Sequence, residues 1–190
     1  MAELLRAADR TAQPWRNGGG VTFEVARRPH PSAAREYLWR VSIARVASAG
    51  PFSAFHGFQR LIMVIEGDGM SLRGLGAADI ALERDQPRRF DGAAAVDGLI
   101  PRGPVSDLNV IFDPAYCEAR LCVLDGSAPP DSSAGSDRLL INLVETPIQW
   151  RSGALTTALG HLDAVWLPDA LEPCDCAGVD RAAWIEIDAW

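Results

Sequence analysis

The residues with chemistry to offer sit in a few short stretches. Pro14-Trp15-Arg16-Asn17 leads directly into three consecutive glycines, Gly18 to Gly20, and then into an alternating run from Val21 to Val25. Trp39-Arg40-Val41-Ser42 puts a second cation and a hydroxyl two residues apart, Ser53 follows in a turn-rich segment, and Arg60 opens an apolar run. An arginine presents a planar fork of N–H donors that matches a carboxylate. An amide and hydroxyls beside it can fix the orientation of what is bound. Arg16, Asn17, Arg40, Ser42, Ser53 and Arg60 are therefore the candidate set, with Trp15 as a wall. Each arginine also has the alternative of a surface position or an ion pair with Asp or Glu. The glycines fit a backbone that takes positive φ or comes close to another segment or a ligand. A plain turn capped by a core Trp is the alternative.

Other chemistries find less support. A dinucleotide fingerprint needs a strand before the glycines and a helix after them, and here an alternating run follows instead; no Gly-Lys-Ser/Thr makes a phosphate loop. No Gly-x-Ser-x-Gly elbow occurs. All 18 basic residues are Arg, which excludes lysine Schiff-base chemistry. His30, His56 and His161 are scattered, whereas a mononuclear metal centre gathers two or three imidazoles with a carboxylate. The expectation is no metal and no cofactor, with His56 a surface loop residue. Cys117, Cys122, Cys174 and Cys176 match no zinc spacing and read as free thiols.

The elements that must position these residues read as strands. Val21 to Val25 alternates apolar with polar, as a half-buried strand does. From Leu38 to Val46, Trp39, Val41, Ile43 and Arg45 share one face while Arg40, Ser42 and Ala44 share the other. Leu61 to Ile65, Met70 to Arg73 after a Gly67-Asp68-Gly69 hairpin turn, Asp79 to Leu82, Arg88 to Phe90 and Asp107 to Phe112 continue the series. Residues 117–124, 139–144, Leu155 to Leu159, Ala164 to Leu167 and Ala183 to Ile187 supply a second half. Gly126 to Asp137 between them reads as a mobile loop. Helical periodicity never runs beyond about two turns, so helix content should be low. Turn residues recur about every ten positions, the rhythm of a barrel or sandwich.

A chain of 190 residues suits one large domain or two small ones. A net charge of −7 speaks against nucleic acid and anionic membrane as partners. The charged start, MAELLRAADR, predicts no signal peptide, and no apolar run reaches spanning length, so the expected location is the cytoplasm.

Taken in order, Pro14-Trp15-Arg16-Asn17-Gly18-Gly19-Gly20-x-Thr22-x-Glu24, Trp39-Arg40-x-Ser42-x-Ala44, Gly50-Pro51-Phe52-Ser53-x-Phe55-x-Gly57-x-x-Arg60, Glu66-Gly67-x-Gly69-Met70 and Gly103-Pro104-x-x-Asp107-Leu108-Asn109 resemble the HutD/Ves family. The resemblance covers roughly residues 14–112. It implies an all-β, cupin-like β-barrel fold with two barrel halves in one chain (a bicupin). It also implies a bacterial cytoplasmic protein linked to histidine utilisation that senses a pathway intermediate and limits its flux. The ligand implied is a small carboxylate such as urocanate or N-formylglutamate. Val110-Ile111-Phe112-Asp113-Pro114 departs from the family pattern of Met and basic residues, and His56 stands where the family often has Pro.

The reading that results has a cupin-like half at residues 1–112 carrying the motifs and a second half at 113–190 packed against it. Trp15 walls a pocket, and Arg16 and Arg60 pair with carboxylates. Asn17, Arg40, Ser42 and Ser53 orient the ligand, and backbone N–H groups of the glycine turn approach it. The chain is expected to be a monomer or homodimer without catalytic residues. The rival is an isomerase or hydrolase using Glu24, His56 or Asp107 as acid–base groups, and a purely structural interaction module is the third alternative.

Overall fold

In the computed structural model, residues 2–126, 130, 135–152, 155–169, 175–177 and 179–190 are described. Most of the expected 126–137 loop, Cys174 and the side chain of Cys176 lie outside them. Cys117 and Cys122 are free thiols. The strands in chain order are β1 (Glu3–Leu5), β2 (Ala12–Pro14), β3 (Gly20–Pro29), β4 (Tyr37–Val46), β5 (Gly50–Pro51), β6 (Gln59–Glu66), β7 (Met70–Arg73), β8 (Ile80–Leu82) and β9 (Arg88–Asp91). They continue with β10 (Asp97–Leu99), β11 (Val105–Phe112), β12 (Cys117–Leu124), β13 (Asp137–Asn142), β14 (Ile148–Ser152), β15 (Leu155–Leu159), β16 (Ala164–Leu167), β17 (Asp175–Ala177) and β18 (Ala182–Ala189). A single 3₁₀ turn, Ala7–Asp9, is the helical content of the described residues, so the protein is all-β with nearly no helix.

The chain divides into two compact units, residues 11–116 and residues 1–10 with 117–190. In the first, a six-stranded sheet runs β2-β3-β4-β11-β6-β9 and a four-stranded sheet runs β5-β10-β7-β8. Val46, Ile62 and Val64 of the larger sheet share a core with Met70, Leu72 and Leu82 of the smaller, with Phe90, Val96 and Val105. Two antiparallel sheets each bury one face this way, because successive side chains point to opposite faces. In the second unit, a five-stranded sheet runs β1-β16-β13-β18-β12 and a three-stranded sheet runs β15-β14-β17. Leu140, Val165 and Trp184 of the former share a core with Ile148, Trp150 and Leu159 of the latter. Each strand order is linear, so among the described residues hydrogen bonding closes none of the four sheets into a ring.

The first ten residues join the second unit because β1 pairs with β16, Glu3 opposite Trp166, and because Asp163 collects donors there. Asp163 accepts from Arg6 at 2.7 Å, from the Ala7 N–H at 2.8 Å and from the Gly160 N–H at 3.0 Å.

Within residues 11–116, β11 lies between β4 and β6 and is buried along its whole length. Register sets its cavity-side neighbours in rows. Ile111 sits opposite Arg40 and Arg60, Asn109 opposite Ser42 and Ile62, and Asp107 opposite Ala44 and Val64. Ile65 is an extra residue of β6 at a bulge beside Asp107, and Val25 forms another bulge beside Glu24. Bulges re-aim the side chains next to them.

Candidate functional site

The strand alternation in β4 delivers Arg40, Ser42 and Ala44 to one side of the six-stranded sheet. A cavity of about 380 Å³ opens there, within the 11–116 unit. Trp15, Arg16, Asn17, Arg40, Ser42, Ser53 and Arg60 all line it. The structure therefore brings together the whole sequence-derived set. It adds Gln13, Thr22, Phe52, Phe55, Asp107, Asn109 and Ile111 among others. Asp107 and Asn109 are two polar residues spaced by two in an otherwise apolar strand. That spacing places both on one face, and it was the signal available in the sequence.

Trp15 is held on three sides. Its indole N–H donates to Thr22 Oγ1 at 2.8 Å, its ring meets Phe52 edge-on at 6.0 Å, and its backbone N–H donates to the Gly20 carbonyl at 2.9 Å. A Cβ on Gly20 would lie 2.6 Å from the Arg45 carbonyl oxygen and 3.1 Å from the Trp15 ring. Gly20 is therefore dictated by close approach, whereas Gly18 sits at φ +70° with open space around it. Gly18 and Gly19 do not offer their N–H groups to a ligand as expected. The Gly18 N–H donates to the Trp15 carbonyl at 3.0 Å, the Gly19 N–H donates to Asn17 Oδ1 at 3.0 Å, and none of the three glycines lines the cavity. The turn is a clamp for Trp15. Asn17 spends its carbonyl on that clamp.

Arg60 is 5% exposed. Its guanidinium carbon stands 5.3 Å from the Phe52 and Phe55 ring centroids and 5.0 Å from that of Phe90, an aromatic surround that suits a weakly hydrated cation. Its Nη2 donates to Asn109 Oδ1 at 2.6 Å and its Nη1 to the Ser53 carbonyl at 3.3 Å, while Nε has no partner. The Ser53 contribution is thus a backbone oxygen as well as a place in the lining. The Asn109 amide donates in turn to Asp107 Oδ1, and the buried Asp107 Oδ2 has no partner. Burial pushes Arg60 down to about 10, against the opposing charges of Asp107 and Tyr37. Burial also pushes Asp107 up to about 7, against the Arg60 charge and the Asn109 hydrogen bond.

The other two cavity arginines differ. Arg40 donates through Nε to Glu24 Oε2 at 3.0 Å, and Glu24 also meets Arg27 at 3.4 Å, so Arg40 fulfils the ion-pair alternative while still lining the cavity. Arg16 is exposed and has no ion-pair or hydrogen-bond partner among the described residues. Of the rival acid–base set, Glu24 is committed to these arginines and His56 is exposed in a turn. Neither lines the cavity, whereas Asp107 does. No three His, Cys, Asp or Glu side chains gather as a metal site would among the described residues. No helix of the described residues is long and apolar enough to cross a membrane.

The HutD family model matches residues 7–183. This chain belongs to the HutD family. It is 38% identical over 134 residues to a protein in the hutC 3′ region of Pseudomonas putida, covering 70% of each chain. It is 38% identical over 122 residues to Protein Ves of Citrobacter koseri, covering 64% of this chain and 63% of that one. The structure of HutD from Pseudomonas fluorescens, determined in a formate condition, superposes over 100% of both chains with a TM-score of 0.84 at 30% identity. The family is thereby linked to a histidine-utilisation gene region.

Proposed function

We propose that this HutD-family protein is a cytoplasmic, non-metal binding protein built of two cupin-type halves. It senses a small carboxylate intermediate of histidine utilisation, of the N-formylglutamate or urocanate type, and modulates flux through that pathway. The observation that carries the reading is one cavity lined by three arginines. Arg60 lies deep in it, and among the described residues its Nε has no hydrogen-bond partner and Arg16 has no ion-pair or hydrogen-bond partner. A carboxylate reaching Arg60 gains a charge-assisted hydrogen bond, which contributes about 1.5–3 kcal/mol. Two such bonds support affinity of about micromolar order after ordering costs.

The test is calorimetric titration of the wild type and Arg60→Met with N-formylglutamate, urocanate and glutamate. Saturable binding by the wild type and a loss of about tenfold or more in the variant are expected. Absence of binding by the wild type, or equal binding by the variant, overturns the assignment.

A second reading is favoured by one specific feature. Asp107 is a buried carboxyl in the cavity lining that burial pushes up to about 7, into the range that suits a general acid or base. Conversion of N-formylglutamate or urocanate, followed by proton NMR and abolished in Asp107→Asn, would support an isomerase or hydrolase instead of a sensor.

A further inference from the structure

The carboxylate-binding reading leaves one group unused. Among the described residues, Asp107 is the single acidic side chain lining the cavity, where the other ionisable groups are Arg16, Arg40 and Arg60. It is 1% exposed, its Oδ1 is engaged by Asn109, and its Oδ2 is buried without a partner. The groups on the neighbouring elements are few. Arg60 on β6 connects to Asp107 through Asn109, and Arg40 on β4 is neutralised by Glu24 of β3 and interacts with Tyr37. Glu66 of β6 is occupied by Ser106.

Without ligand, the nearest counter-charge of Asp107 is Arg60, relayed through the Asn109 amide. A ligand carboxylate drawn to Arg60 puts a second anion into the same buried space. Two carboxylates sharing one buried cation do not both stay ionised, because each raises the proton affinity of the other. The Gly18 and Gly19 N–H groups cannot relieve this, since they are committed to Trp15 and Asn17.

Resting on the carboxylate reading, we propose that Asp107 takes up a proton from solvent when an anion enters the cavity and then donates an O–H···O bond to it from Oδ2. Binding is therefore coupled to proton uptake, and the site is specific for an acceptor reached at once by Arg60 and by a neutral acid. Burial already pushes the Asp107 carboxyl up to about 7, against the Arg60 charge and the Asn109 hydrogen bond, so little rearrangement of charge is required.

The experiment is isothermal titration of the full chain with N-formylglutamate, whose carboxylates stay ionised throughout. It is run near pH 6, 7 and 8 in two buffers of different ionisation enthalpy. The expected uptake is about half a proton per ligand near pH 7, rising toward about one near pH 8, with affinity falling roughly tenfold from pH 6 to pH 8. Asp107→Asn, which replaces the acid O–H donor by an amide N–H donor, should bind with affinity independent of pH and without the proton uptake. Binding whose enthalpy is the same in both buffers overturns the proposal and leaves the carboxylate reading standing. So does an Asn variant that keeps the full pH dependence. Absence of binding at every pH overturns the carboxylate reading, and the proposal falls with it.

Discussion

Asn109 accepts from Arg60 through Oδ1 at 2.6 Å and donates through its amide to Asp107, so one side chain joins a buried cation to a buried carboxylate that does not touch it. The two bonds together fix which way the amide points. Asn109→Leu keeps much of the volume but strips both buried charges of their shared partner. Leaving a buried charged group unsatisfied costs about 1–3 kcal/mol or more. Urea unfolding should show a lower midpoint by an amount in that range. Asn109→Asp should behave differently, since it places a second acid beside Asp107 and makes stability more dependent on pH. An Asn109→Leu protein as stable as the wild type would show that the bridge holds nothing.

The two glycines that bracket the turn should separate backbone strain from site geometry. At Gly18 a new Cβ meets open space and only the left-handed φ is penalised, by roughly 1–2 kcal/mol. At Gly20 the Cβ runs into the Arg45 carbonyl and the Trp15 ring. Overpacking of that kind costs about 1–3 kcal/mol and displaces what it touches. Gly18→Ala should therefore lower thermal stability with binding retained. Gly20→Ala should lower both, and intrinsic fluorescence, to which Trp15 is one of six contributing tryptophans, should shift only in the latter.

The candidate site was legible where a strand wrote it with a period of two. Arg40, Ser42 and Ala44 follow from alternation, and Arg60 stands at the head of an apolar run that the register then places opposite Ile111. Asp107 and Asn109 carried the same signal, but burial and the relay to Arg60 depend on β11 lying between β4 and β6, a long-range pairing that no local pattern encodes. The role of the glycine turn was misread for a related reason. Whether its N–H groups are free depends on where the Asn17 side chain turns and on the Trp15 carbonyl. The two- and three-residue strands β5, β10 and β17 are too short to alternate, and the Glu3–Trp166 pairing that draws the first residues to the far end of the chain is likewise non-local.

Arg16 and Arg40 both line the cavity, yet their partners predict different phenotypes. Arg16 is exposed and free of partners among the described residues, so its attraction for an anion is screened by salt. Arg16→Met should weaken binding of N-formylglutamate by a few-fold at low ionic strength. That difference should shrink at about half-molar salt, with stability unchanged. Arg40→Met removes a partner of Glu24 and should lower stability as well as affinity. If both variants lose affinity equally at all salt concentrations, the cavity does not distinguish a mouth charge from a paired one.

Stability against pH should have two limbs of opposite sign. Asp107 has its folded value raised to about 7, from 3.8, by burial. A raised acid favours the folded state most when protonated, so its contribution is full below the unfolded value and is lost as pH rises through about 7. Asp163 behaves in reverse. Burial alone would raise it, but the hydrogen bonds from Ala7, Arg6 and Gly160 and the Arg6 charge together hold it below its ordinary value. Its stabilisation is present above the unfolded value and is lost as pH falls through the depressed one. Without ligand, the unfolding free energy should therefore climb by roughly 1–3 kcal/mol from about pH 8 to about pH 5 and then drop in stronger acid. Asp107→Asn should flatten the first limb and leave the second, and Asp163→Asn should do the opposite at a cost in overall stability. Denaturant unfolding at a series of pH values reads both limbs in one experiment. A profile that falls steadily from pH 8 to pH 5 in the wild type would mean that Asp107 is ionised in the folded protein, held there by Arg60 more strongly than burial opposes it.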